Sequence, residues 1–261
     1  MQIIILQDQE QITELASDFI VELLDNKPSA VLGLATGSTP LDLYSKLAEL
    51  NQQQRISFKN VTTFNLDEYL GIPADHSLSY RCFMNTHLFK HIDIPYENTH
   101  LPNSMTDNPK QESIDYDRLI SETGGIDLQL LGIGVNGHIG FNEPSSSLAS
   151  RTRVKTLTQS TLQANSRFFS AGETQPRLAI TMGIGTIMEA KQILLLAYGE
   201  DKADAIKASI EGPITAMCPA SILQMHPEVT FILDETAARK LDNINYYKQV
   251  YEENKRLLRG K

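Results

Sequence analysis

The sequence predicts an α/β fold: a single domain on a mostly parallel, open, Rossmann-like sheet, with helices on both faces and a lid segment. Three observations carry this prediction. Short apolar segments alternate with stretches of helical periodicity, and several of the apolar segments run directly into glycine- or carboxylate-rich turns. No linker rich in proline, glycine and serine divides residues 1–261, so one domain is the economical reading.

Residues 1–8 carry a short apolar run that reads as a first strand. Ile12, Leu15, Ala16, Phe19, Ile20, Leu23 and Leu24 follow at steps of three and one, the apolar stripe of an amphipathic helix that ends near Asn26-Lys27-Pro28. Residues 30–34 form a second strand that enters Ala35-Thr36-Gly37-Ser38-Thr39-Pro40, where Thr39 suits the cap of the next helix and Pro40 its first turn. Residues 61–66 lead into Asp67-Glu68-Tyr69, and residues 128–133 lead into a glycine-rich turn. Residues 178–181 and 193–197 each precede a helical pattern, and 229–233 supplies another strand. This alternation calls for parallel pairing under a helix cover on each side. Residues 145–169 are polar and read as an excursion over the sheet edge, the candidate lid, while 243–258 mix apolar and charged residues as a surface helix does.

Composition narrows the function classes. A hydrophobic fraction of 41% with 21% charged residues describes an ordinary globular chain, which excludes collagenous, coiled-coil and disordered readings. The 32 acidic against 23 basic residues give a net charge of −9 and leave no basic patch, so neither nucleic acid nor an anionic membrane is an expected partner. Two cysteines, Cys82 and Cys218, make neither a disulfide framework nor a paired zinc motif, which suits a reducing, cytoplasmic setting. The amino-terminal run lacks the flanks of a signal peptide, and no stretch approaches the roughly 18 apolar residues of a membrane span. The expected partner is a small-molecule substrate, with the chain a monomer or a homo-oligomer.

In open sheets of this kind ligands bind beyond the carboxyl ends of the strands, where strand order reverses. Thr36, Gly37, Ser38 and Thr39 present backbone N–H groups and hydroxyls at a helix amino terminus, a setting that favours an anion. The turn lacks the patterns of a nucleotide P-loop or a dinucleotide fingerprint, so a monophosphate fits it best; an ordinary capped helix is the plainer alternative. Arg167 and Lys202 could bring positive charge to the same anion, or could be solvated surface cations.

Residues 132–144 are the most informative stretch, with four glycines within nine residues directly after an apolar strand. His138 sits inside that turn and Glu143 is close in sequence, a pairing suited to general acid–base chemistry, although a turn histidine can also serve only the backbone. One histidine and one glutamate are too few for a metal site, and no His-Glu-x-x-His occurs, so neither metal nor cofactor is expected. Asp67 and Glu68 reach the same sheet edge from another strand end. Adjacent carboxylates on an extended segment point to opposite sides, so one can face the pocket while the other binds structure, unless the aspartate merely caps a turn.

Together these stretches resemble the glucosamine-6-phosphate deaminase family. The resemblance rests on Leu34-Ala35-Thr36-Gly37-Ser38-Thr39-Pro40, Phe64-Asn65-Leu66-Asp67-Glu68-Tyr69 and the Asn-Gly-His-Ile-Gly-Phe-Asn-Glu-Pro run from Asn136 to Pro144. It extends to Ser147-Leu148-Ala149-Ser150-Arg151-Thr152-Arg153, Ala164-Asn165-Ser166-Arg167-Phe168-Phe169, Glu211-Gly212-Pro213 and Pro219-Ala220-Ser221, in family order over nearly the whole chain. It implies conversion of glucosamine 6-phosphate and water to fructose 6-phosphate and ammonia, without a metal. By the same resemblance Asp67 moves the C2 proton, His138 opens the sugar ring with help from Asn136 and Glu143, and residues 36–39, Arg167 and Lys202 hold the phosphate. Some members carry aspartate where this chain has Asn136; an amide can orient the imidazole but adds no second negative charge to it. Arg153 and Lys155 lie in a segment that resembles one contributing to an effector site in some members. A 6-phosphogluconolactonase-like hydrolase and a non-catalytic sugar-phosphate sensor are the rival readings.

Overall fold

The structure, a computed structural model, describes residues 1–157 and 176–259. The described strands are β1 (Gln2–Leu6), β2 (Val31–Leu34), β3 (Thr62–Asn65), β4 (Asp67–Tyr69), β5 (Thr99–His100), β6 (Leu128–Leu131), β7 (Arg153–Thr156), β8 (Leu178–Thr181), β9 (Gln192–Ala197) and β10 (Val229–Asp234). The α-helices are α1 (Gln9–Asn26), α2 (Leu41–Gln52), α3 (Tyr80–His87), α4 (Pro109–Glu122), α5 (Ile184–Met188), α6 (Ala203–Ile210), α7 (Glu235–Ala238) and α8 (Ile244–Arg259).

Seven strands form one parallel sheet in the order β1-β10-β9-β6-β2-β3-β5. From β2 the chain steps outward through β3 to β5, then returns to β6 on the other side of β2 and steps outward again through β9 and β10. The order therefore reverses between β2 and β6, whose carboxyl ends open into residues 35–40 and 132–144. The strands are apolar on both faces because helices cover both. On one face Val31, Phe64, Leu131, Leu195 and Phe231 pack with Ile120 of α4 and Ile206 of α6. On the other, Leu32, Leu34, Leu130, Leu194 and Ile232 pack with Ile12 and Ile20 of α1, Leu43 and Leu47 of α2 and Met84 of α3. The period-two alternation of the strands thus sorts their side chains into two cores. Helix α1 starts where Asp8 accepts a hydrogen bond from the Gln11 N–H, and α8 packs along β1, as the periodicity predicts.

Two expectations change. Residues 178–181 do form a strand, but β8 lies in a separate three-stranded antiparallel sheet, β4-β8-β7. The cause is local: β4 follows β3 after the single residue Leu66, so the chain leaves the main sheet there, and Leu66 bonds on one side to Leu34 and on the other to Met182. A four-residue apolar run does not specify the direction of its partner. The second change is at α2. Pro40 occupies the cap position and no side chain caps the helix, so Thr39 is not the cap. Residues 70–127, which the sequence leaves unassigned, hold α3, β5 and α4. The candidate lid begins with a turn and β7; its remainder from residue 158 lies outside the described residues.

Candidate active site

At the end of β2 the backbone turns through Gly37, whose φ of +101° an L side chain rarely adopts. Gly37 and Ser38 are exposed, and Thr36 and Thr39 are half-buried. Among the described residues no group accepts a hydrogen bond from the N–H of Thr36, Gly37, Ser38 or Thr39. These unpaired donors precede an uncapped helix, so the cradle read from the sequence exists as backbone geometry. It abuts the second loop: a Cβ on Gly132 would stand 3.4 Å from Thr39 Oγ1.

Asp67 is the first residue of β4 and is 5% exposed. Its Oδ2 accepts from Thr181 Oγ1 at 3.3 Å, and Thr181 in turn accepts the Phe141 N–H at 3.1 Å. Burial, reinforced by the charge of Glu68, pushes the Asp67 carboxyl up to about 7 against the opposing bonds from Thr181 and Phe141. Glu68, buried on the opposite side of the strand, accepts the N–H groups of Tyr69, Tyr80 and Arg81 at 2.8, 2.9 and 2.9 Å. The two carboxylates therefore divide as the strand period predicts, Asp67 toward the 138–143 turn and Glu68 toward the start of α3.

The turn after β6 closes on itself through the Gly134 N–H bond to the His138 carbonyl. Gly134 gives the imidazole its room, since a Cβ there would lie 2.2 Å from His138 Cε1. His138 Nδ1 meets Asn136 Oδ1 at 2.8 Å, and Asn136 Nδ2 donates to Glu143 Oε2 at 2.7 Å, with Nδ1 to Glu143 Oε2 at 3.4 Å. An amide oxygen only accepts, so the neutral ring carries its hydrogen on Nδ1 and keeps Nε2 as the free base. The chain of partners reaches the buried Glu143 carboxylate. Asp67 packs against this same turn: a Cβ on Gly140 would stand 3.3 Å from Asp67 Oδ2. Asp67 and the turn that carries His138, 71 residues further along the chain, thus come together at one edge of the sheet.

Lys202 closes a 3₁₀ turn after β9 and pairs with Asp201 at 3.2 Å. That turn is tied to the cradle, because Tyr198 at its start donates its hydroxyl to the carbonyls of Ser38, at 3.3 Å, and Thr39. Arg167 lies outside the described residues. Residues that sequence reasoning missed complete the surroundings. Tyr69, Tyr80 and Phe141 form an aromatic trio with ring centroids 4.8 to 6.0 Å apart, and the hydroxyl of the half-buried Tyr80 interacts with both Tyr69 and Thr36. Ser79, which accepts the Cys82 N–H at 3.0 Å, is a cap signal that could have located α3 and hence Tyr80. Thr181 had no such signal. Arg153 donates to Asn142 at 2.9 Å and shares a cross-strand row with Thr181 and Asp67. Among the described residues no group of three or more His, Cys, Asp or Glu has the spacing of a metal site.

A parallel sheet whose reversal point holds a free backbone cradle, a buried carboxylate and an oriented histidine defines α/β proteins with a small-molecule crevice at that point. Residues 7–232 match the family of glucosamine-6-phosphate isomerases and 6-phosphogluconolactonases, and the chain belongs to it. It is 58% identical to a glucosamine-6-phosphate deaminase of Hahella chejuensis (strain KCTC 2396), over 98% of each chain. It is 56% identical to one of Shewanella woodyi (strain ATCC 51908 / MS32), over 99% of this chain and 98% of that one. Among solved structures it superposes on a monomeric glucosamine-6-phosphate deaminase with a TM-score of 0.89 at 44% identity, covering 92% of this chain and all of that one. A 6-phosphogluconolactonase from Trypanosoma cruzi shares the fold, with a TM-score of 0.73 at 22% identity over 92% of this chain and 97% of that one.

Proposed function

We infer that the chain converts glucosamine 6-phosphate and water to fructose 6-phosphate and ammonia. The observation that carries this reading is the packing of Asp67, with its raised affinity for a proton, against the turn that orients His138. The phosphate occupies the N–H cradle of Thr36, Gly37, Ser38 and Thr39, with Lys202 and Arg167 as its cations, and remote binding energy fixes the reacting carbons. His138 Nε2 takes the proton of the anomeric hydroxyl and delivers it to the ring oxygen, which opens the pyranose; Asn136 and Glu143 support the imidazolium. Asp67 removes the proton from C2 and returns it to C1 through an enol-type intermediate. The resulting imine at C2 adds water and expels ammonia. A base that keeps its proton up to about pH 7 can both accept and return a proton near neutrality.

Both cysteines are free, which suits a reducing cytoplasm. The nearest rival chemistry is lactone hydrolysis. It is separated by presenting glucosamine 6-phosphate and 6-phosphogluconolactone in turn: ammonia from the first supports the reading, and acid from the second with no ammonia from the first rejects it. Indifference of ligand-dependent behaviour to loss of the Asp67 carboxylate, with no turnover of either compound, would favour a sensor.

A further inference from the structure

Tyr198 follows β9 directly and is half-buried, with its hydroxyl on the backbone of the β2–α2 loop and not on any charged partner. The described peptides are all trans, and the carbonyl and N–H of a trans peptide point to opposite sides. The Tyr198 hydroxyl at 3.3 Å and the Leu41 N–H at 3.4 Å together hold the Ser38 carbonyl and so turn the Thr39 N–H the other way, whereas the Thr39 carbonyl precedes Pro40, which has no N–H, so the bond to it anchors the loop only. The same arrangement recurs at the loop's start, where the fully buried Tyr44 hydroxyl donates to the Ala35 carbonyl at 2.5 Å and so fixes the Thr36 N–H. Tyr44 belongs to α2, the helix that follows the loop; Tyr198 comes from a strand on the far side of β6. Among the described residues Tyr198 thus joins the cradle by hydrogen bonds to the turn of Gly199, Glu200, Asp201 and Lys202, whose first N–H is held at 3.2 Å by Asp234.

We propose that Tyr198 is a positioning residue for the anionic end of the substrate: its hydroxyl anchors the Ser38 and Thr39 carbonyls, helps set the direction of the Thr39 N–H, and registers the cradle against the turn that carries Lys202. This rests on reading residues 36–39 as the phosphate site. Burial raises the phenol to about 12, so it remains a donor throughout the neutral range.

The test is Tyr198→Phe, which keeps the ring and removes only the donor. Loss of one hydrogen bond that acts on binding alone raises KM for glucosamine 6-phosphate about fivefold and weakens competitive inhibition by inorganic phosphate by the same factor. In that outcome kcat and its pH profile stay as in the parent. Unchanged KM and unchanged phosphate inhibition overturn the proposal, and so does a fall in kcat with both binding constants unaltered. Should the variant lose stability, the rise in melting temperature on adding inorganic phosphate, measured against its own ligand-free melt, still decides. A smaller rise than in the parent supports the proposal and an equal rise overturns it. That phosphate measurement also stands apart from the activity: a parent chain that bound phosphate and released no ammonia would remove the deaminase reading while leaving Tyr198 to be judged on the melts.

Discussion

Asp67 and Glu68 are neighbours in sequence with opposite duties, and their separation is a consequence of one extended residue pair. Because the raised Asp67 carboxyl acts as a base only when ionised, kcat/KM falls as pH drops through about 7. Glu68→Gln removes the negative charge that helps hold that proton, so the acidic limb of the pH–rate profile moves to lower pH; a limb that stays put or rises contradicts the assignment. The raised carboxyl also has a thermodynamic sign. Its folded-state value lies above the ordinary one near pH 4, so folding stability declines between about pH 4 and 7 and remains reduced above it. Asp67→Asn therefore gains roughly 1–3 kcal/mol at pH 8, read by denaturant unfolding, while turnover is lost. At this level the sequence was informative where chemistry is written in residue types: Asp67, His138 and Glu143 stand out against their surroundings. Thr181 and Tyr198 did not, because a threonine in a strand and a tyrosine after one acquire meaning only from what faces them across 114 and 159 residues.

The strands of the main sheet other than β5, and helices α1 and α8, were legible because burial imposes a readable period; α3, β5 and α4 were not, and neither was the direction of strand pairing. The small antiparallel sheet shows the limit: β8 reads as one more parallel strand until Leu66 is seen to turn the chain away from the main sheet. The same sheet brings Asp67 to Gly140, whose φ is +55° and where an added Cβ would stand 3.1 Å from Thr181 Oγ1 and 3.3 Å from Asp67 Oδ2, leaving little room for a methyl group. Gly140→Ala is expected to lower kcat at least tenfold, with about 1–2 kcal/mol of stability lost to the left-handed backbone, since a misplacement of about 1 Å costs on the order of a hundredfold in rate; parent-like kcat contradicts this. A second loop anchor has no catalytic part. Burial pushes the Glu211 carboxyl up, but the Asp242 N–H, Lys207 and the Asn243 N–H outweigh it and bring it down to about 2. Glu211 also accepts the Tyr247 hydroxyl at 3.0 Å, so it secures the start of α8. Glu211→Gln costs about 1–3 kcal/mol at pH 7. A folded value below the ordinary one means this stabilisation is complete above about pH 4.3 and fades as pH falls toward 2, so the two proteins converge in stability in acid. Equal stability at pH 7 would refute the anchor.

For the whole molecule, the decisive feature is the reversal between β2 and β6, which gathers the 35–40 and 132–144 loops at one edge and admits β4 beside them. The alternation of strands and helices foretold an edge with this character, but not which pair of strands flanks it, since strand order is a property of long-range pairing. Arg167 falls outside the described residues, so its predicted place on the phosphate is carried by the resemblance alone. Asp67, as the proton carrier between C2 and C1, is the centre of the proposed reaction. It is tested by measuring ammonia release from glucosamine 6-phosphate by Asp67→Asn at pH 8 beside the dissociation constant for fructose 6-phosphate. The account predicts a loss of turnover of about 10²–10⁴-fold with affinity held within about threefold. Turnover equal to the parent's, at unchanged affinity, would contradict it.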